Sequence, residues 1–189
     1  MTTQLSSIME HNHKFVQDKQ YEAYETSKLP DKKTLIVTCM DTRLVELLPK
    51  AMNFKNGDIK IIKTAGAIVS NPFGSAMRSI LVGLYELNVE EVIVVGHHEC
   101  GMASLNSERM VSSMKERGVS DEVLSTLDHS GIKLDEWLRG FDNVTSAVEN
   151  TVSLIKNHPL LPRNTPVHGM VIHPATGALD LVVEGYSAP

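Results

Sequence analysis

The chain has 189 residues, 42% of them hydrophobic and 22% charged, with 18 lysines and arginines against 23 acidic residues and a net charge of -5. That length carries one domain with a substantial core, and the acidic balance excludes the basic footprint of a nucleic-acid binder. No apolar run is long enough to span a bilayer, and no lysine- or arginine-rich tract marks a membrane-surface patch.

The first twenty residues are polar and of mixed charge, without the apolar stretch of a signal peptide, so the sequence reads as cytoplasmic. Residues 3–27 look helical, with Phe15, Tyr21 and Tyr24 as anchors, and residues 1–30 are expected to form a helical arm that packs on a neighbour. Pro30-Asp31-Lys32-Lys33 is a turn, and Thr34-Leu35-Ile36-Val37-Thr38 after it is an apolar, β-branched run of the kind found in buried parallel strands. Residues 44–52 predict a short helix interrupted near Pro49. Asn56-Gly57-Asp58 is a turn signal, and a second strand over residues 59–64 runs into Ala65-Gly66-Ala67.

The best-defined helix follows, with Asn71 as N-cap and Pro72 at its first position. Ala76, Met77, Ile80, Leu81, Leu84, Tyr85 and Leu87 make it apolar round most of its circumference. A surface helix carries one apolar stripe, so this one is expected to touch the sheet and a second body. A homodimer, or a multiple of it, accounts for both this helix and the arm. Val92-Ile93-Val94-Val95-Gly96 predicts the third strand.

Beyond it, Met102, Met110 and Met114 suit helical packing. Ser120 before Asp121-Glu122 reads as a helix start. Leu134, Trp137, Leu138 and Phe141 form one helical apolar face, and Val144, Val148, Val152 and Ile155 form another that His158-Pro159 stops. Strands at residues 167–172 and 178–183 flank the turn residues Pro174-Ala175-Thr176-Gly177 as a hairpin. The expected fold is a single α/β domain over residues 1–189: a mostly parallel central sheet flanked by helices, with an antiparallel C-terminal edge strand.

Chemistry concentrates where two of these strands end, in Cys39-Met40-Asp41-Thr42-Arg43 and His97-His98-Glu99-Cys100. Ligand sites of open parallel sheets collect at the carboxyl ends of strands, so the two cysteines of the chain and an imidazole can converge there. A Cys2His set suits zinc and leaves one position for water, as catalytic zinc sites do. A disulfide between Cys39 and Cys100 is a rival, though such bonds are rare in the cytosol. A structural zinc is another, but structural sites usually carry four ligands, often in Cys-x-x-Cys loops that this chain lacks. His98 competes with its neighbour as the nitrogen ligand, and the two-residue gap from His97 to Cys100 favours His97. The histidines at 11, 13, 129, 158, 168 and 173 have no ligand spacing and read as surface or packing residues.

Two thiolates cancel the charge of the zinc, so a water on this site is harder to deprotonate than one on three neutral imidazoles. It needs a hydrogen-bond acceptor, and Asp41 is the candidate. Asp41 could instead bind the metal as a fourth ligand and expel the water. Arg43 can hold Asp41 off the metal through a charge-assisted pair, so the two act as a dyad.

Cys39-x-Asp41-x-Arg43 followed by Gly96-His97-x-x-Cys100-Gly101 resembles the β-class carbonic anhydrases, and Lys63-Thr64-Ala65-Gly66-Ala67 is similar to that family's Arg-Asn-Ala-Gly loop. The likeness runs from about Thr34 to Met102. It implies a carbonate dehydratase, a lyase that reversibly hydrates carbon dioxide to bicarbonate and a proton by attack of a zinc-bound hydroxide. It implies one zinc ion per chain on Cys39, His97 and Cys100, with Asp41 and Arg43 as catalytic dyad and Asp41 entering the metal's coordination in a closed state. It also implies a dimeric unit with the site near the subunit interface. Lys63 stands where the family often has arginine, keeping the charge without the bidentate fork. Two other functions fit the same ligands: hydrolysis of carbon disulfide or carbonyl sulfide, and a non-catalytic zinc-binding interaction protein. The dyad argues against the last, which needs only ligands.

Overall fold

The structure is a computed structural model and describes residues 3–186; the first two residues of the expected arm and the last three of the expected domain lie outside the described residues. Five strands form one sheet: β1 Thr34–Cys39, β2 Ile59–Thr64, β3 Glu91–His97, β4 Val167–Ile172 and β5 Leu179–Val183. Their order is β2-β1-β3-β4-β5, parallel except for the antiparallel pairing of β4 with β5. Every residue of β1 is buried, as a strand covered on both faces requires.

Helices α1 Gln4–Gln17, α2 Leu44–Ala51, α3 Ser75–Glu86, α4 Ser107–Glu116, α5 Asp121–His129, α6 Leu134–Trp137 and α7 Val144–Lys156 complete the chain. The sheet separates two cores. One joins Leu35, Val37, Val92 and Val94 to Met77 and Ile80 of α3 and Val148, Val152 and Ile155 of α7. The other joins Ile36, Ile93 and Val95 to Leu44 and Leu48 of α2, with Met102 and Phe141 packed against it. Ser120 caps α5 as expected, accepting from Val123 N–H at 3.3 Å, and Asn143 caps α7, accepting from Ser146 N–H at 3.0 Å.

The topology fixes where a ligand can sit. After β1 the chain crosses through α2 to β2 on one side, then through α3 to β3 on the other side of β1. The connections therefore part above the carboxyl ends of β1 and β3, which opens the crevice where ligands of such sheets bind. Cys39 ends β1 and His97 ends β3. Gly96 lets α7 close on this corner: a Cβ there would stand 2.7 Å from a methyl of Val148 and 2.9 Å from one of Val144.

Local structure departs from the sequence expectations in four places. The arm is not one helix: α1 ends at Gln17, Lys19 turns left-handed at φ 54°, and a 3-10 turn spans Gln20–Tyr24. Helix α2 is not interrupted at Pro49 and runs to Ala51. The N–H that proline lacks would have met the carbonyl of Val45, a residue 55% exposed, where water can take its place. Helix α3 begins at Ser75 rather than Pro72 because Asn71 closes a turn instead of capping, its Oδ1 accepting from Phe73 N–H at 2.8 Å and its carbonyl from Gly74 N–H at 3.0 Å. Residues 134–141 give only the four-residue α6, with Trp137 68% exposed and Leu138 buried. Helix α3 itself buries Met77, Ile80 and Gly83 and leaves Val82 and Tyr85 exposed. No described helix is long and apolar enough to cross a membrane.

Candidate metal centre

Cys39, His97 and Cys100 each offer one donor atom, and the three atoms lie within 4.8 Å of one another. All three residues are buried. The Sγ atoms of the two cysteines are 3.9 Å apart, and both are free thiols, so the disulfide reading is set aside. Strand ends bring Cys39 and His97 together, and the loop after β3 returns Cys100 through a single left-handed residue, Glu99, at φ 56°. Gly66, left-handed at φ 72°, sits under the same corner, where a Cβ would meet Met102 at 2.9 Å and Phe141 at 3.0 Å.

The histidine is set up to donate a lone pair inward. His97 Nδ1 lies 2.7 Å from the carbonyl of His98. A carbonyl only accepts, so Nδ1 carries the proton and Nε2 presents its lone pair. Nε2 is buried and has no hydrogen-bond partner among the described residues. Its nearest acidic atom, Asp41 Oδ2 at 3.7 Å, is another acceptor. Burial pushes the Cys100 thiol up from its ordinary pKa, and Cys39 and Asp41 add to that against the N–H of Met102. Two thiols and an imidazole lone pair thus face one small volume, a donor set that a divalent cation satisfies. His98 is turned away: its ring packs 5.9 Å from that of His173, and its Nε2 is 3.9 Å from Asp180.

Asp41 is not a member of the three-residue cluster, because Arg43 holds it. Arg43 Nε donates to Oδ1 at 3.0 Å, Nη2 to Oδ2 at 2.9 Å, and the Arg43 backbone N–H to Oδ1 at 2.9 Å. The Arg43 side-chain bonds, against the opposing effect of burial and with help from its backbone N–H, hold the Asp41 carboxyl at a pKa of about 2. Asp41 in turn pushes the guanidinium of Arg43 upward. Arg43 also reaches the His97-x-x-Cys100 loop: Nη1 is 3.0 Å from Glu99 Oε2, and Nη2 donates to the Glu99 carbonyl at 3.2 Å. Sequence reading missed Glu99. Its one signal was position, inside the His97-x-x-Cys100 loop. Thr64, beside Cys39 in the register of β1 and β2, has a buried hydroxyl without a partner among the described residues, while Lys63 before it is exposed.

A Cys2His cluster that could hold a metal ion thus lies at the switch point of a doubly flanked α/β sheet, with a paired carboxylate and guanidinium beside it. Comparisons with known proteins place it. The family profile for carbonic anhydrase matches residues 34–179. A Bacillus subtilis (strain 168) protein, provisionally named carbonic anhydrase YvdA, is 61% identical over 96% of this chain and 92% of its own length. The crystal structure of β-carbonic anhydrase isoform I from Trichomonas vaginalis has 32% identity and a TM-score of 0.88, covering 98% of this chain and all of that one. A carbon disulfide hydrolase of Acidithiobacillus thiooxidans is 25% identical over 80% of this chain and 78% of its own length. The chain belongs to the β-class carbonic anhydrase family.

Proposed function

We propose that this protein is a zinc-dependent carbonate dehydratase, a lyase that reversibly hydrates carbon dioxide to bicarbonate and a proton, with Cys39, His97 and Cys100 holding one zinc ion per chain. The observation that carries this reading is the buried Nε2 of His97, without a hydrogen-bond partner among the described residues, facing two free thiols, with Asp41 held beside it by Arg43. Zinc, when bound, supplies Lewis acidity that brings the ionisation of a coordinated water toward neutral pH.

The residues of the chain do the rest. Because two thiolates offset the cation's charge, the reacting water needs an acceptor, and Asp41 Oδ2 lies 3.7 Å from His97 Nε2. A carboxyl held at about pH 2 stays ionised across the neutral range, so Asp41 accepts a hydrogen bond and cannot donate one. That orients the water and the lone pair it presents for attack. Arg43 keeps both oxygens of Asp41 occupied and so restrains it from becoming the fourth ligand, which belongs to a closed state with that pair broken. Met102 and Phe141 pack against the apolar cluster that contains Cys39 and Cys100, surroundings that suit a small nonpolar gas. We place the protein in the cytoplasm as a homodimer or a multiple of it. The exposed Val82 and Tyr85 on α3 and the arm helix α1, none of whose residues is buried, favour a partner subunit. Sedimentation of dilute protein is expected to give a dimer or larger, and a monomer that retains full activity would contradict it.

Stopped-flow assay of the zinc-loaded chain with carbon dioxide, carbon disulfide and carbonyl sulfide tests the activity. Rapid hydration of carbon dioxide with little turnover of the sulfur analogues is expected. Turnover of carbon disulfide alone would give the protein the activity named for its Acidithiobacillus relative, and no turnover of any gas would leave a metal-binding protein without catalysis.

A further inference from the structure

The metal cluster accounts for Cys39, His97 and Cys100, and the dyad for Asp41 and Arg43. Neither accounts for the second carboxylate on Arg43. We propose that Glu99 is a positioning residue that fixes the plane of the Arg43 guanidinium, and through it the carboxylate of Asp41. The proposal rests on the reading of Asp41 and Arg43 as the pair that serves the reacting water.

The geometry is that of a clasp. Arginine offers five N–H groups in one plane. Here Nε and one Nη2 hydrogen go to the two oxygens of Asp41. The other Nη2 hydrogen goes to the Glu99 carbonyl, and Nη1 goes to Glu99 Oε2. Both edges of the fork are therefore occupied, one by the dyad and one by the loop that carries His97 and Cys100.

Stability is not what this contact supplies. The side chains of Arg43 and Glu99 are 41% and 68% exposed, and exposed ion pairs contribute little. What it supplies is order. A half-exposed arginine has many rotamers, and each N–H it loses frees more of them. Anchored only by Asp41, Arg43 could follow that carboxylate or swing into solvent. With Glu99 holding the opposite edge, the fork stays aimed at Asp41. Glu99 also takes the left-handed conformation immediately before Cys100, and Arg43 grips its carbonyl as well as its carboxylate. The clasp thus ties the position of the dyad to the loop that positions the metal donors. Glutamate at 99 is suited to this because its carboxylate and its own carbonyl can reach one guanidinium together.

The test uses the full-length, zinc-loaded protein labelled with nitrogen-15, with the Arg43 Nε–H signal identified by its loss in Arg43→Ala. Glu99→Ala is expected to speed solvent exchange of that proton by roughly ten-fold and to leave the melting temperature unchanged, because the freed arginine samples other rotamers. Glu99→Gln keeps an oxygen acceptor and should fall between the two. In the carbon dioxide assay, Glu99→Ala should lower kcat by about three- to ten-fold with KM unchanged, a small misplacement cost. The double variant with Arg43→Ala should be no slower than Arg43→Ala alone, because Glu99 acts only through Arg43. Unchanged exchange of the Nε proton in Glu99→Ala overturns the proposal, and so does a double variant whose losses multiply. A chain that hydrates no carbon dioxide would defeat the functional reading, yet the exchange measurement would still decide whether Glu99 holds Arg43.

Discussion

Arg43→Ala should leave zinc in the protein and remove most of its hydration activity. Three hydrogen bonds from Arg43 keep Asp41 in place. The alanine variant retains the backbone one and loses both side-chain bonds, so Asp41 is free to enter the fourth position. With cobalt in place of zinc, the spectrum should report a carboxylate ligand instead of water. Asp41→Asn separates the two roles of the carboxylate: it cannot close the site as a carboxylate does, and its amide replaces one of the acceptor oxygens with a donor. Its activity is expected to fall by about 10²-fold or more, the scale of a lost pre-organised hydrogen bond at the reacting group. Were Asp41 only a turn-closing residue ahead of α2, its removal would cost about 1 kcal/mol of stability and little rate. Full activity in Asp41→Asn, or a water-ligated and fully active Arg43→Ala, would defeat the dyad.

The same pair has a signature in the metal-stripped protein. Asp41 is held at about pH 2 against an ordinary value of 3.8. A depressed carboxyl binds fewer protons folded than unfolded, so it stabilises the fold above the ordinary value and loses that contribution as pH falls toward 2. Arg43→Ala returns Asp41 toward its ordinary range. Its unfolding free energy should therefore fall less steeply than that of the wild type between about pH 4 and pH 2. Acid titrations of denaturant midpoints on both proteins check the slope.

The second large effect is loss of the metal itself. Cys39→Ser, Cys100→Ser and His97→Ala should each lose zinc and fall to background hydration, because a site with three protein donors has none to spare. His98→Ala should retain both, since that ring packs against His173 instead. Elemental analysis beside the gas assay reads the outcome. A Cys39→Ser or Cys100→Ser protein that keeps stoichiometric zinc would show that the ligands have been misassigned.

How much of this was legible in the sequence follows from the range of each interaction. Strands β1 and β3 carry apolar, β-branched runs of the kind a doubly covered sheet buries, so their place in the chain was legible, whereas their pairing side by side came from the fold. The convergence of Cys39 with His97 and Cys100 followed from a topological rule, with no pairwise contact needing to be known. The start of α3 did not follow, because Asn71 can either cap a helix or close a turn and only the fold decides. The clasp on Glu99 lay further out of reach. It joins residues 56 apart and requires a non-glycine residue in the left-handed region, which no local propensity predicts. The turn of His98 toward His173 likewise depends on β4 ending beside β3.

X-ray absorption at the zinc edge of the loaded wild-type protein at neutral pH bears most directly on the central claim. The account predicts one zinc per chain with two sulfur neighbours, one imidazole nitrogen and one light atom from water, at about 2.3 Å for sulfur and 2.0–2.2 Å for the others. A first shell without sulfur, or one in which a second imidazole replaces the water, would contradict it.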